Sequence, residues 1–341
     1  MRDICAFTRR PLAFLGRYIR KHSGAHALIL ASVLAAVACS IGAQYGVKTL
    51  VDALSGVSAA SVWLAFAVVA ALIAADNLLW RIAMYVASST FTAVTGDIRR
   101  DLFRYLTGQA PSYFTERLPG TLTSRVTATS NAAFTVEHML ITNVLPPCVA
   151  TLCAIALFVT VSSPMALALA IIAGVVVVAM FRMAAAGEDL HHQYAHRAAS
   201  VDGEMIDVIG NMPIVLSFCG VGREHRRFDR TVGRELIARK RSLYYLERLR
   251  LMHAAVTVLL TVGLLAWAIL LWQQGLVTPG QVVLVCTLGI AVLHATRDLA
   301  IALVDMTQHM ARLAEALSTL LVSHDLADSP EAAPLKRNAG S

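Results

Sequence analysis

The stretch Tyr113–Arg125 reads YFTERLPGTLTSR, and the way it folds decides how the chain is built. It lies inside a 51-residue polar segment, Tyr85–Thr135, between two long apolar runs. A Pro-Gly pair such as Pro119-Gly120 breaks a helix. The spacing therefore predicts one helix coming down, a short crossing piece, and a second helix going back up. Tyr113 and Phe114 at the tip of that hairpin form an exposed aromatic pair that suits a groove on another protein. Taken alone, the same residues also fit a solvated loop with two incidental aromatics.

Working outward, the 341 residues are 57% hydrophobic and 15% charged, with a mean hydropathy of +0.63. Soluble domains run about 45–50% apolar and about 25% charged, so this is the composition of a membrane protein. The six cysteines, Cys5, Cys39, Cys148, Cys153, Cys219 and Cys286, form no CxxC pair. Four of them lie in apolar runs, where a free cysteine acts as a small hydrophobe. They read as neither a disulfide framework nor a metal site.

Six apolar segments are expected to span a bilayer: Ala27–Ala43 (continuing to about Val51), Val62–Met84, Met139–Val161, Pro164–Phe181, Ala254–Trp272 and Gly280–Val304. Each approaches or exceeds the roughly 18 apolar residues that a spanning helix needs. The connections alternate in charge. Asp52–Ser61, Ser162-Ser163 and Gln273–Pro279 contain no Lys or Arg, whereas Arg182–Arg250 alone contains twelve. Basic residues stay on the cytoplasmic side, so both termini and the two long loops are expected in the cytoplasm. Lys48 is the exception and reads as snorkelling to the interface. A secretory signal ending near Cys39 fits less well, because the apolar run is too long and continues past that residue. Residues 1–22 carry Arg2, Arg9, Arg10, Arg17, Arg20 and Lys21, with Leu12, Leu15, Tyr18 and Ile19 at helical spacing. This suits a basic amphipathic helix on a membrane surface; a disordered basic tail is the alternative.

The two long cytoplasmic segments are too long for turns. The simplest geometry continues the spans as helices, and about 20 residues would project about 30 Å. Six spans with two hairpins of this length resemble the transmembrane domain of ABC exporters. In that family each hairpin ends in a short coupling helix that docks on an ATPase domain. The first family tip is an aromatic pair followed by Gly-x-Leu-x-Ser-Arg; here Tyr113, Phe114, Gly120, Leu122, Ser124 and Arg125 match. Thr121 and Thr129 stand where the family usually has acids. The second tip is matched by Gly210, Asn211, Val215 and Phe218, then Glu224 and Arg227-Phe228, with the Glu about three residues late. Arg312-Leu313 and Glu315–Leu317 fit the helix that leads to the ATPase.

The resemblance implies an all-α membrane protein with six transmembrane helices and two cytoplasmic hairpins ending in coupling helices. It divides the chain into residues 1–22 (N-terminal helix), 23–322 (exporter-type transmembrane domain) and 323–341 (a polar tail or linker toward an ATPase domain). It implies the membrane-spanning part of an ATP-driven exporter, integral to a bacterial inner membrane. The implied partners are an ABC ATPase domain, which would bring ATP and Mg, and a second transmembrane domain, in a homodimer or heterodimer whose fourth and fifth helices cross over. The chain contains no GxxxxGK[ST] phosphate loop, so any ATP hydrolysis is expected from a domain supplied elsewhere. An ATP-independent transporter or channel, or an inactive remnant, are the alternative readings. Leu54-Ser55-Gly56 matches the family's ATPase signature only in letters. Gly220-Val221-Gly222 lacks the strand–helix context of a nucleotide fold. Glu188, Asp189, His191, His192 and His196 cluster, yet form no His-Glu-x-x-His and read as a hydrated helix face. The cytoplasmic arginines follow from membrane topology and do not call for nucleic acid.

Polar residues also fall inside the apolar segments. Asp76, Asn77 and Arg81 lie at about the same depth as His294, Arg297 and Asp298, some 21 Å from the outer ends of their helices at the usual helical rise. A charge facing lipid there costs about 2.5–3.5 kcal/mol, so these groups are expected to face the bundle interior. They suit either a latch, Asp76 with Arg297 or Arg81 with Asp298, or the lining of a substrate path.

Overall fold

The computed structural model describes residues 7, 10–58, 61–115 and 119–321, and every regular element among them is helical. The helices are α1 (Pro11–Lys21), α2 (Ser23–Leu54), α3 (Val62–Thr107), α4 (Pro111–Thr115), α5 (Pro119–Met139), α6 (Leu145–Val161), α7 (Ser163–Ala186), α8 (Glu188–Gly210), α9 (Met212–Ser217), α10 (Val221–Gln273) and α11 (Pro279–Leu320). A π-helical turn, Leu140–Val144, joins α5 to α6.

Five stretches are long and apolar enough to cross a membrane: Ser23–Leu54, Val62–Thr107, Leu122–Val161, Val221–Gln273 and Pro279–Ser318. The remaining expected span lies in α7, whose apolar part, Ser163–Ala179, falls in a shorter class. Large apolar side chains such as Trp63, Leu152 and Leu259 stand exposed along these helices. Lipid is the medium in which such surfaces are at home. At about 1.5 Å per residue, the 53 residues of α10 run about 80 Å. The hydrocarbon layer is about 30 Å thick, so most of that helix stands outside it.

Local sequence explains where the helices stop. Gly56, just past α2, and Gly275, just past α10, have φ of +69° and +71°. A helix ends readily on a left-handed residue, and glycine adopts that conformation without strain. Pro146 and Pro147 lack the N–H groups a helix needs and crowd the carbonyls four residues earlier. Those carbonyls belong to Thr142 and Asn143, inside the π turn. The wider turn is where the chain accommodates the two prolines. Pro119-Gly120, expected to break a helix, instead begins α5. Proline is favoured in the first helical turn, where its missing N–H would have had no partner.

The chain forms two compact units. The first gathers Met1–Ser40, Leu72–Pro146 and Asp305–Ser341; the second gathers Ile41–Ala71 and Pro147–Val304. The first unit has a continuous apolar seam. Phe14, Leu15 and Tyr18 of α1 pack with Val94, Ile98, Leu102 and Tyr105 of α3, Leu122 and Val136 of α5, and Leu313, Leu317 and Leu320 of α11. The amphipathic α1 therefore lays its apolar face on protein, where a membrane surface was expected, with Leu12 left outward. Four helices share one seam because α3, α5 and α11 all continue beyond their apolar stretches and offer α1 a groove.

In the second unit, Asp52 near the end of α2 is buried and accepts a hydrogen bond from the Gly280 N–H at 2.9 Å. This caps the start of α11 from a distant helix, since the first N–H groups of a helix have no partner within it. Lys48 lies 3.3 Å from the other Asp52 oxygen and over the ring of Tyr45. A local partner thus answers the charge that was expected to snorkel. A methyl group on Gly280 would run into the Lys48 carbonyl and the Asp52 carboxylate. Val176 and Leu249 pack α7 on α10, and the Tyr245 hydroxyl donates to the Met183 carbonyl at 2.6 Å.

Phe14 is fully buried at the centre of the first unit's seam. Phe14→Ala is expected to cost about 3–5 kcal/mol through lost burial and the cavity left behind. In purified protein this should appear as a lower thermal midpoint and as new protease sensitivity across α1. Unchanged melting and cleavage would show that α1 is not anchored this way.

Candidate functional site

The first hairpin tip is built from α3, α4 and α5. Helix α3 ends at Thr107, and Gly108 and Gln109 close its last turn on the carbonyls of Tyr105 and Leu106. The five-residue α4 then carries Tyr113 and Phe114. Their rings meet edge to face at 5.4 Å, but their surroundings differ. Tyr113 is 7% exposed and belongs to the apolar seam, whereas Phe114 is 42% exposed. The expected exposed pair is thus one anchor and one outward ring. Leu122 is buried in the same seam. Gly120 and Ser124 lie on the exposed surface of α5. Arg125 reaches Glu315 of α11 at 2.6 Å, which brings together two residues that the sequence placed in separate motifs. Both side chains are substantially exposed, and a pair of that kind contributes roughly 1 kcal/mol or less.

The second tip is α8–α9–α10. Gly210 ends α8, and Asn211 follows at its C-terminal cap. The Asn211 side-chain amide donates to the Asp207 carbonyl at 2.9 Å. Pro213 lies in the first turn of α9. The chain then reverses through Cys219, which has a left-handed φ of +48°, and the Gly220 N–H donates to the Val215 carbonyl at 2.8 Å. Val215 is half-buried, while Ile214, Leu216 and Phe218 point outward, Phe218 with 79% of its surface exposed. Beneath the tip, Arg227 of α10 pairs with Glu204 of α8 at 3.1 Å and with Glu224 at 3.4 Å. The late-placed Glu224 therefore serves the hairpin's own ion-pair network.

A polar site that the motif reading missed holds α1 to the part of α3 that continues beyond its apolar stretch. Asp97 is buried and receives Lys21 at 2.7 Å, His22 at 3.0 Å and Arg100 at 2.7 Å. The hydrogen bond from Lys21 does most to hold this carboxylate down to about 2, with His22 and Arg100 adding to it and burial opposing. One turn along, the Tyr18 hydroxyl donates to Asp101 at 3.1 Å. Burial, and then the Asp101 charge, push that phenol well above its ordinary range. The signal available in the sequence was Asp97 and Asp101 at i,i+4 on α3, a spacing that puts both acids on one helix face opposite a basic helix.

The polar residues of the apolar segments distribute between the units. In the first, Asp76 is half-buried, and its Oδ1 has no hydrogen-bond partner among the described residues. The Asn77 amide donates to the Ile73 carbonyl at 2.9 Å, and Arg81 is exposed. In the second, Arg297 is held by its neighbour Asp298 at 2.9 Å, and His294 is exposed. The structure adds His253 of α10, buried and within electrostatic reach of Arg297, His294 and Asp298. Its Nδ1 lies 3.3 Å from the Thr257 hydroxyl. A lone histidine in an apolar helix gives little sequence signal, and its nearness to α11 is a tertiary fact.

The family model for the ABC transporter transmembrane region matches residues 26–294. Among solved structures, a bacterial Atm1-family ABC exporter with ATP bound is similar, with a TM-score of 0.71 at 21% identity, over 94% of this chain and 56% of that chain. At that identity the likeness is one of fold. This chain spans a little over half the length of that structure. No curated protein matches the sequence.

The Asp97 cluster generates a pH prediction. A depressed carboxylate stabilises the fold fully above its ordinary range near about 3.9. That stability is lost as the pH falls through about 2. The contribution of Asp97 to docking α1 should therefore be flat between about pH 5 and pH 8. Asp97→Asn should speed amide hydrogen exchange across Pro11–Lys21 by about tenfold at neutral pH, the effect of weakening a hydrogen bond to a charged group. Exchange equal to wild type would remove the carboxylate from this role.

Proposed function

This chain belongs to the ABC transporter transmembrane family, and from that premise we propose that it forms the substrate path of an exporter and couples it to an ATPase domain. The carrying observation is that two long helical hairpins each end in a very short helix with an outward apolar side chain. These are Phe114 on α4, and Ile214, Leu216 and Phe218 on and beside α9. In water such side chains call for a partner surface. The reading assigns that surface to an ABC ATPase domain, which binds ATP with Mg and lies in another part of the assembly. Tyr113, Leu122 and Val215 support the tips from behind. Gly210 and Asn211 shape the second turn, and Gly120, Ser124 and Arg125 belong to the ascending side of the first.

The same reading supplies a second transmembrane domain to complete the path, in a homodimer or a heterodimer. It places the protein in a bacterial inner membrane as six spans, α7 included, with both ends cytoplasmic. Asp76, Asn77 and Arg81 in one unit, and His294, Arg297 and Asp298 in the other, are the groups it assigns to lining the path or holding its helices. The support is the cost of leaving such groups against lipid.

Two measurements check this reading. In a version assembled with a matching ATPase, Phe218→Ala and Phe114→Ala should each lower substrate-stimulated ATP hydrolysis by tenfold or more. Truncating an interface anchor costs about 2 kcal/mol or more. Tyr113→Ala should instead lower the thermal midpoint. Full stimulation in both outward variants would refute the docking assignment. For topology, the native Cys219 at the second tip is exposed. With the other cysteines replaced, an impermeant maleimide should label it only after the cells are opened, whereas a cysteine at Gln274, beyond α10, should react in intact cells. The opposite pattern would invert the orientation.

A further inference from the structure

A buried carboxylate in the first unit is used by none of the features above. Glu137, near the end of α5, is 3% exposed. His26 of α2 faces it, with Nε2 3.8 Å from Oε1. That is ion-pair distance and just beyond a hydrogen bond. His26 Nε2 and both Glu137 oxygens are buried without a hydrogen-bond partner among the described residues.

The other ring nitrogen fixes the chemistry. His26 Nδ1 lies 3.0 Å from the His22 carbonyl oxygen. A carbonyl oxygen only accepts, so Nδ1 carries a hydrogen. In neutral His26, Nε2 therefore presents a lone pair to Glu137. If Glu137 is ionised as well, two electron-rich groups face each other away from water, and neither is paired. One proton removes the conflict. Held on Nε2 it makes an imidazolium–carboxylate pair; held on Oε1 it makes a neutral acid that donates to Nε2.

The surroundings leave this proton no competitor. The His26 ring packs against Phe91 at 5.9 Å, Phe91 against Phe134 at 6.2 Å, and Phe134 stacks on His138 at 6.0 Å. The other titratable groups nearby have their own partners. On the α1–α2 side, Lys21 and His22 bind Asp97. On α3, Arg100 binds Asp97, and Arg99 donates to Ser130 and Asn131 of α5. On α5, His138 Nδ1 lies 3.5 Å from the Thr142 hydroxyl. Among the described residues no third charged side chain comes within ion-pair distance of His26 or Glu137.

We propose that His26 and Glu137 form a buried proton-binding site that joins α2 to α5. Bound, the proton closes the contact. Released to bulk water, it leaves two desolvated groups repelling each other, and the helices separate until water reaches the carboxylate. The contact lies immediately before the π turn Leu140–Val144, where α5 already departs from regular α-helical hydrogen bonding. That turn is where the separation would be absorbed.

The test uses the full chain in lipid nanodiscs, with the thermal midpoint measured across pH. The closed state keeps a proton that the opened pair gives up, so stability is present at low pH and lost as the pH rises past the imidazole range. Between about pH 5.5 and pH 8.5 the wild-type midpoint should fall by about 3 °C more than that of Glu137→Gln. The Gln amide mimics the protonated acid and cannot titrate. The Asp97 cluster is common to both proteins, so its contribution cancels in the difference. His26→Gln is the second arm, and it decides the matter should Glu137→Gln not assemble. It too should lose the excess fall. Parallel pH profiles for wild type and the folded variants would overturn the proposal.

Discussion

The constraint on which everything else depends is that hydrocarbon offers the backbone no hydrogen-bond partners. A chain that crosses it must satisfy every N–H and C=O within its own helix. Changes of direction are therefore confined to the ends of the apolar stretches. The short turns use glycines in the left-handed region, Gly56 and Gly275, or Ser162 between α6 and α7. Where regular bonding does fail inside a long stretch, at Pro146-Pro147, the fault is met by widening the helix to a π turn. It is not met by opening the chain. Once closed, a helix that leaves lipid has no reason to stop, and α3, α10 and α11 continue well past their apolar parts.

Those continuations create a second demand. Outside lipid, an amphipathic stretch needs something to cover its apolar face, and the first unit answers by packing α1, α3, α5 and α11 into one seam. Charges drawn toward that seam or toward the membrane are answered locally. Asp97 collects Lys21, His22 and Arg100. Asp52 is stabilised by Lys48 and by the first turn of α11. The exposed pairs, such as Arg125 with Glu315, add orientation more than stability.

The elements whose cause is local were legible in the sequence, and those whose cause is tertiary were not. Uncharged runs and the absence of basic residues from three connections located the membrane segments. Two hairpins of unusual length located the tips. Helix α1 was readable from its spacing, but not what it lies on. A periodic apolar face says only that it will be covered, and the groove that covers it is made by three helices distant in sequence. Pro119-Gly120 misled because proline breaks a helix in its interior and favours one in its first turn, and nothing local distinguishes the two. Glu137 gave no motif because His26 lies on another helix, and the spacing of Asp97 with Asp101 did not say that Lys21 and Tyr18 of α1 would meet them.

The tips show how a short pattern can encode two roles at once. Successive residues on an α-helix are turned by about 100°, so neighbours never share a face. The two adjacent aromatics on α4 point different ways. Tyr113 turns back into the hairpin and joins the seam, which leaves Phe114 outside. The aromatic pair is thus one anchor and one outward ring. The second tip divides its work in the same way without a pair. Half-buried Val215 lends its carbonyl to the closing turn at Gly220, and Ile214, Leu216 and Phe218 face out around it. A five- or six-residue helix has too few backbone bonds to hold its own orientation. At the first tip the inward Tyr113 ties the short helix to the seam of the long helices behind it.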